Sequence, residues 1–399
     1  MEIILTILLI YIRIIKKKVM YSQVGNMIKN ILIMNTGTGW GGLEAWFYKT
    51  AAALQKRNYN IFILAQSDSE FYNKSIEQGF NVTGIEHIGD GTFLNPFRIH
   101  FLVNYLKNNS IDAMFLAQSS HFKYGSIAGK IAGTEKIIYR RAIAKPIKNK
   151  FYNRLFLKYF ITDFMSISKI TRDMNLKDIP EGVLDKSKQK LVYKGVKKDN
   201  FLNPELKSDI RREYKIKDNE LILVNIGRLC RQKAQQYLIE ALPKIIKKHQ
   251  NFKVLFVGKL GGKENEYLER AKELEIEDKI IFTGFRNDIP SILKQADFMV
   301  HTAIYEGGSP WVILEAMMAG LPIVSTEAIT IPEFVQDGVN GYIAENKNPD
   351  DIAAKVIKMI ENKERAKLGQ ESAKIAADKY TFKKMIDNIE EKIFEQKLN

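Results

Sequence analysis

The residues best equipped for chemistry lie in the second half of the chain. A β-branched run, Leu221 to Ile226, opens directly into Gly227-Arg228-Leu229-Cys230-Arg231-Gln232-Lys233. Arg228 and Lys233 stand five apart across a loop, a spacing that lets a planar guanidinium fork and an ammonium point charge clamp a diphosphate from two sides. Such a pair neutralises the charge that develops on a departing nucleoside diphosphate. Cys230, between them, reads as filler.

A second constellation follows at Glu306-Gly307-Gly308-Ser309-Pro310, where a strand ends and a glycine-rich loop presents backbone N–H groups. A helix then starts close to Pro310, a residue favoured in the first turn. Glu315 sits among Val312, Ile313, Leu314, Ala316, Met317 and Met318, so it reads as a buried carboxylate in need of a partner. Ribose hydroxyls would serve, and so would an internal salt bridge.

In the first half, Ile31 to Asn35 runs into Gly37, Gly39, Gly41 and Gly42 and then a helix, a G-x-G-x-x-G in strand-loop-helix context. Glycines there let a phosphate or a sugar approach the backbone and the helix amino terminus. The ribose-binding acid of a dinucleotide site is not clearly present, because the second strand ends Leu64-Ala65-Gln66-Ser67. Glu44 falls in the first helical turn, where it either complements the helix dipole or points outward to bind acceptor hydroxyls. His121 offers either a site imidazole or a satisfied structural histidine.

The elements that must position these groups alternate short β-branched runs with helical patterns from residue 29 onward, the signature of parallel α/β layers. Strands are expected at 31–35, 61–65, 113–116, 136–139, 164–167 and 190–193. The pattern restarts at 221–226, 252–257, 280–283, 298–301, 322–325 and 341–343. A chain of 399 residues exceeds one ordinary core and suits two. Lys194 to Glu220, polar and strand-poor, reads as the linker. The expected division is an apolar and basic extension over 1–28, an acceptor domain over 29–200 and a donor domain over 201–380. A helix over 381–399 is expected to pack back towards the first domain. The fold class is α/β: two Rossmann-like, doubly wound domains facing across a cleft, with ligands at the carboxyl ends of the strands.

Taken together, Gly-Arg-Leu-x-x-x-Lys, the glycine-rich loop with its two glutamates, Glu-Ala-Met-x-Ala-Gly-x-Pro and Phe282-Thr283-Gly284-Phe285 before Asp288 resemble the retaining GT-B glycosyltransferases of family 4. The resemblance covers nearly the whole chain from about residue 29. It implies transfer of a sugar from a UDP- or GDP-sugar to a hydroxyl, with Arg228 and Lys233 on the diphosphate and Glu315 on the ribose. Glu306 and the amides of Gly307 to Ser309 would take the sugar hydroxyls, and Phe285 and Arg286 would flank the base. Gly41, Gly42 and Gly227 would admit the donor. Members are usually metal-independent, and the chain lacks an Asp-x-Asp; no metal and no cofactor are expected.

Three departures from the family stand out. Eight residues, not seven, separate the glutamates. Ala234 replaces a glycine after the lysine. Arg140 and Arg141 follow the strand at 136–139, where many members place a histidine, and with Glu44 and His121 they are the expected acceptor contacts.

Charge bears on the acceptor. Residues 1–205 carry 30 Lys and Arg against 16 Asp and Glu, while residues 206–399 are nearly balanced. The densest stretch, Lys136 to Lys158, holds eight cations with Phe151, Tyr152 and Phe156 among them and no acid. This composition suits a solvated face or an anionic leaflet, and nucleic acid is not the expected partner. One cysteine and five histidines exclude a disulfide framework and leave little material for a zinc site. The apolar run Ile3 to Ile12 is half the length of a membrane span and lacks a secretory leader's arrangement. It reads as an interfacial anchor, a packed helix or a non-native extension, and the location expected is cytoplasmic, peripheral at the inner face of the membrane. The rival activities are a nucleotide-sugar epimerase or sugar phosphorylase of the same fold, and a non-catalytic protein binding anionic lipid.

Overall fold

The computed structural model describes residues 27–202, 206–259 and 261–395; the apolar run at the amino terminus lies outside them. The described chain forms two compact units. One comprises residues up to Ile167, Arg172–Val192 and Ile386 onward; the other comprises Ser168–Thr171 and Tyr193–Met385.

The first unit is built on seven parallel strands: β1 (Asn30–Asn35), β2 (Asn60–Gln66), β3 (Asn81–Ile85), β4 (Ala113–Leu116), β5 (Lys136–Arg141), β6 (Asp163–Ser166) and β7 (Gln189–Leu191). Their order is β3-β2-β1-β4-β5-β6-β7. The sequence pattern did not show β3, because Asn-Val-Thr-Gly-Ile is polar, half-exposed and at the sheet edge. The second unit has six: β8 (Leu221–Ile226), β9 (Phe252–Val257), β10 (Ile280–Gly284), β11 (Phe298–His301), β12 (Ile323–Thr326) and β13 (Gly341–Ala344), in the order β10-β9-β8-β11-β12-β13. In both sheets the order reverses after the first strand, between β1 and β4 and between β8 and β11, which is where a doubly wound sheet opens a binding crevice.

Burial on both faces explains why these strands read as continuous apolar runs. In β8, Ile222, Val224 and Ile226 join the cluster containing Ile313, Met317 and Phe334, while Leu223 joins the opposite one with Leu238, Leu242 and Phe256. The helices covering them start where local chemistry dictates. Asn95 caps the helix Pro96–Asn108 by accepting from the N–H groups of Phe97 and Arg98, and Asn348 caps Pro349–Glu361 in the same way.

The division between the units falls at Val192/Tyr193, ahead of the expected 200/201. Strand β7 completes the first sheet at Leu191, and Val196 already pairs with Thr381 in the second unit. The helix Phe382–Lys392 leads back into the first unit. There Arg57 meets Asp387 at 2.7 Å and also Glu390, and Phe394 packs against Tyr59 and Phe115.

Candidate functional site

In the second unit two loops leave the switch point side by side. Asn225, the penultimate residue of β8, is buried and donates to Val300 O at 2.8 Å and Thr302 Oγ1 at 3.3 Å. The loop after β8 is tied to the loop after β11 by Ile304 N to Gln232 O, Gln232 Nε2 to Tyr305 O and Thr302 Oγ1 to Lys233 O. Gly258 closes the pair from the other side, since a Cβ there would stand 2.2 Å from Gly227 O. Three backbone segments are thereby locked beneath the crevice.

Arg228 is exposed in this frame, and Lys233 is half-buried along Gly227, whose missing side chain leaves room for its methylenes. The Lys233 ammonium pairs with Glu306 Oε1, and the same oxygen accepts from His301 Nε2 at 3.0 Å. Burial pushes the Glu306 carboxyl up, but the His301 hydrogen bond and the Lys233 charge outweigh it and hold the group at about 2. His301, the last residue of β11, is fully enclosed; burial lowers its pKa and Lys233 lowers it further against the pull of Glu306. The resting network is a charged lysine, an ionised glutamate and a neutral histidine whose Nε2–H donates.

The loop beyond is held at its carbonyls. Thr330 Oγ1 lies 3.2 Å from Glu306 O and 2.6 Å from Gly308 O, and Lys194 Nζ reaches Ser309 O at 3.2 Å. Gly307 and Gly308 are half-exposed and Ser309 is buried. Glu306 is thus turned into the unit, and the eight-residue spacing is absorbed before the helix Trp311–Met318 begins. Glu315 corrects an expectation: it is half-exposed on the open side of that helix, not enclosed. Arg286 is a second correction. Its guanidinium is spent on Asp288, at 2.8 and 2.7 Å, and on Glu213 at 2.6 Å, which raises its pKa and depresses that of Asp288. Phe285 beside it is 76% exposed.

In the first unit the glycine loop after β1 is fixed from within. Glu44 accepts from Gly41 N at 3.0 Å and from Asn35 Nδ2 at 3.1 Å, so its carboxylate is a clasp for the loop rather than an outward contact. Gly41 and Gly42 are exposed. His121 is buried and bonds Thr36 Oγ1 at 2.8 Å; burial, with His87 nearby, drops its pKa to about 3. Arg140 is completely buried with its guanidinium 3.8 Å from the Trp46 ring centroid. Among the described residues its Nε and both Nη atoms have no hydrogen-bond partner, and burial lowers its pKa to about 9 despite the Glu44 charge. Arg141 binds Lys145 O at 3.0 Å and pins the following loop. Of the four expected acceptor contacts, then, three lie enclosed beneath the loop and the fourth holds a turn.

Two features escaped the sequence reading. His301 was readable only as a histidine at a strand end five residues before Glu306, and Thr330 carried no signal. Among the described residues no group of three or more His, Cys, Asp or Glu side chains could hold a metal ion, and no helix is long and apolar enough to cross a membrane.

Residues 207–375 match the family model described as Glycosyl transferases group 1. That segment contains the Arg228, Lys233, His301, Glu306 and Glu315 constellation, and the fold around it is GT-B. The chain is 34% identical over 204 residues to Uncharacterized glycosyltransferase MJ1607 of Methanocaldococcus jannaschii, a match spanning 49% of this chain and about half, 51%, of that protein. It is 24% identical over 276 residues to the UDP-Gal:alpha-D-GlcNAc-diphosphoundecaprenol alpha-1,3-galactosyltransferase of Escherichia coli, covering 66% of this chain and 70% of that one. The crystal structure of Anabaena Alr3699/HepE in complex with UDP superposes with a TM-score of 0.77 at 20% identity, over 92% of this chain and all of that one. That likeness extends the two Rossmann-like domains beyond the matched segment to nearly the whole chain.

Proposed function

We propose that the protein is a glycosyltransferase that moves a sugar, with retention and without a metal, from a nucleoside diphosphate to a hydroxyl of a cell-envelope glycan or lipid-linked acceptor. One observation carries this reading: the paired Lys233 and Glu306 with exposed Arg228 at the switch point of the second sheet. Lys233 and Arg228 stabilise the diphosphate as it leaves, Glu315 takes the ribose, and Phe285 offers an exposed face to the base. The acceptor hydroxyl attacks from the leaving-group side and passes its proton to the departing phosphate, so no protein nucleophile is needed. Positioning and charge stabilisation supply most of the rate.

UDP ranks ahead of GDP, because the HepE crystals that share the fold hold UDP. Calorimetric titration with UDP, GDP and their sugars in the presence of a chelator tests the donor. Saturable binding of one of them is expected, and absence of binding by all of them would end the reading. An acceptor at an anionic, cytoplasmic-facing surface is supported by exposed Lys145, Lys148, Lys150, Arg154 and Lys158 beside exposed Ile143 and Tyr159. Vesicle cosedimentation with Lys145, Lys148 and Lys150 neutralised tests that part, and retention on anionic vesicles in that variant would remove it.

A further inference from the structure

Glu306 Oε1 is shared. It accepts from His301 Nε2 inside the unit and from Lys233 on the open side, where the lysine side chain keeps 20% of its accessibility and the histidine 2%. If Lys233 turns to a diphosphate, as the proposed donor reading requires, the carboxylate loses its counter-ion while it stays almost wholly enclosed. A buried ion stripped of its partner costs several kcal/mol. The group left to answer that charge is His301.

We propose that His301 is a positioning residue for the donor site, holding Glu306 in place when Lys233 exchanges it for the diphosphate and taking up a proton as it does so. The exchange is balanced. Lys233 moves its charge from the carboxylate to a phosphate oxygen, and one proton from solvent reaches His301, which then faces Glu306 as an imidazolium. Two influences that kept the ring neutral change together, because the nearby lysine charge leaves and the glutamate charge is no longer compensated. Lys233 and Glu306 are the charged groups whose fields reach the ring. The neighbouring strands bring uncharged polar groups: Asn225 from β8, and Ser325 and Thr326 from β12. Donor binding and proton binding are thereby linked.

The test is calorimetry of UDP binding at pH 6.5 and 7.5 in buffers of different ionisation enthalpy, using the intact chain and the variants H301Q and H301A. Glutamine keeps an N–H donor for Glu306 and cannot titrate. UDP has its own ionisation near pH 6, so the difference between wild type and H301Q isolates the histidine. Net uptake approaching one proton per UDP in that difference is expected. H301A should lose affinity by about tenfold, and H301Q should recover it without recovering the proton. Thermal melts of both variants check that they fold. Equal proton counts in wild type and H301Q, or full affinity in a folded H301A, would overturn the inference while leaving the donor reading intact. Failure of wild type to bind UDP would overturn the inference, and failure to bind UDP, GDP or either of their sugars would overturn the donor reading with it.

Discussion

Each unit places a basic side chain beneath the glycine-rich loop or loops at the switch point of its sheet, and the two are treated in opposite ways. In the second unit Lys233 is half-buried, paired with Glu306 and backed by His301. In the first, Arg140 is wholly buried, stacked on Trp46 and, among the described residues, without a hydrogen-bond partner for its guanidinium. A paired cation near the surface can trade one anion for another at little cost, since both states are satisfied. An enclosed cation without hydrogen bonds has nothing to trade, and its charge is tolerated through the Trp46 face and the field of Glu44. The pairing in the second unit would suit an exchange of anions at Lys233, as proposed above, whereas the enclosed side chains of the first hold its loop.

The same substitution made in both places separates these roles most sharply. K233M should cut turnover by roughly 10²- to 10³-fold, the usual loss when one preorganised charge is removed from a leaving group, while the melting temperature falls only modestly because His301 still holds Glu306. Steady-state kinetics and a thermal melt decide it, and near-normal turnover would defeat the assignment of Lys233. R140M should act in reverse. Replacing an unpartnered buried cation by an apolar side chain of similar length is expected to leave stability unchanged or raise it by about 1–3 kcal/mol. Chemical denaturation measures this, and a loss of stability would mean that Arg140 has partners its enclosed position conceals.

A smaller contrast concerns the two buried histidines, both depressed by burial. His121 keeps its neutral form down to about pH 3, whereas an unfolded histidine protonates near 6.5. Below 6.5 the unfolded chain binds the extra proton, so stability falls as pH falls through the window from 6.5 to 3 and is fully present above it. At pH 5 the deficit attributable to His121 should be about 2 kcal/mol. H121Q should abolish that part of the pH slope in denaturation curves measured between pH 7 and 5. A slope identical to wild type would show that His121 protonates freely in the folded state.

Much of this was legible in the residues, and the exceptions have physical causes. Strands buried on both faces announce themselves as apolar runs, so β8, β9 and β11 fall where the sequence puts them. The edge strand β3 has no such need and gave no signal. Arg228, Lys233 and Glu306 could be singled out because they sit on loops that follow strand ends, and the structure brings Lys233 and Glu306 together with Arg228 exposed nearby. The fate of each charge was not, because it depends on partners distant in the chain: Glu306 on Lys233, 73 residues away, and Arg286 on Glu213, also 73 residues away. Composition marks Arg140 and Glu44 as polar; only the fold turns them inward.

The smallest effect tests how tightly the lysine turn is wound. Ala234 adopts φ 52°, in the left-handed region, where a Cβ costs about 1–2 kcal/mol. The turn is enforced by Lys233 N and Ala234 N, which both donate to Cys230 O at 3.0 Å, and it returns the lysine over Gly227. A glycine would remove the strain and forfeit the burial of one methyl, worth about 0.8 kcal/mol. A234G should accordingly gain from a few tenths to about 1 kcal/mol, and A234V, whose branched side chain resists this region, should lose more than that. Urea denaturation of the pair reads the difference. If A234G were destabilised by more than about 1 kcal/mol, the buried methyl would be a packing element of the Lys233 turn that outweighs its backbone strain.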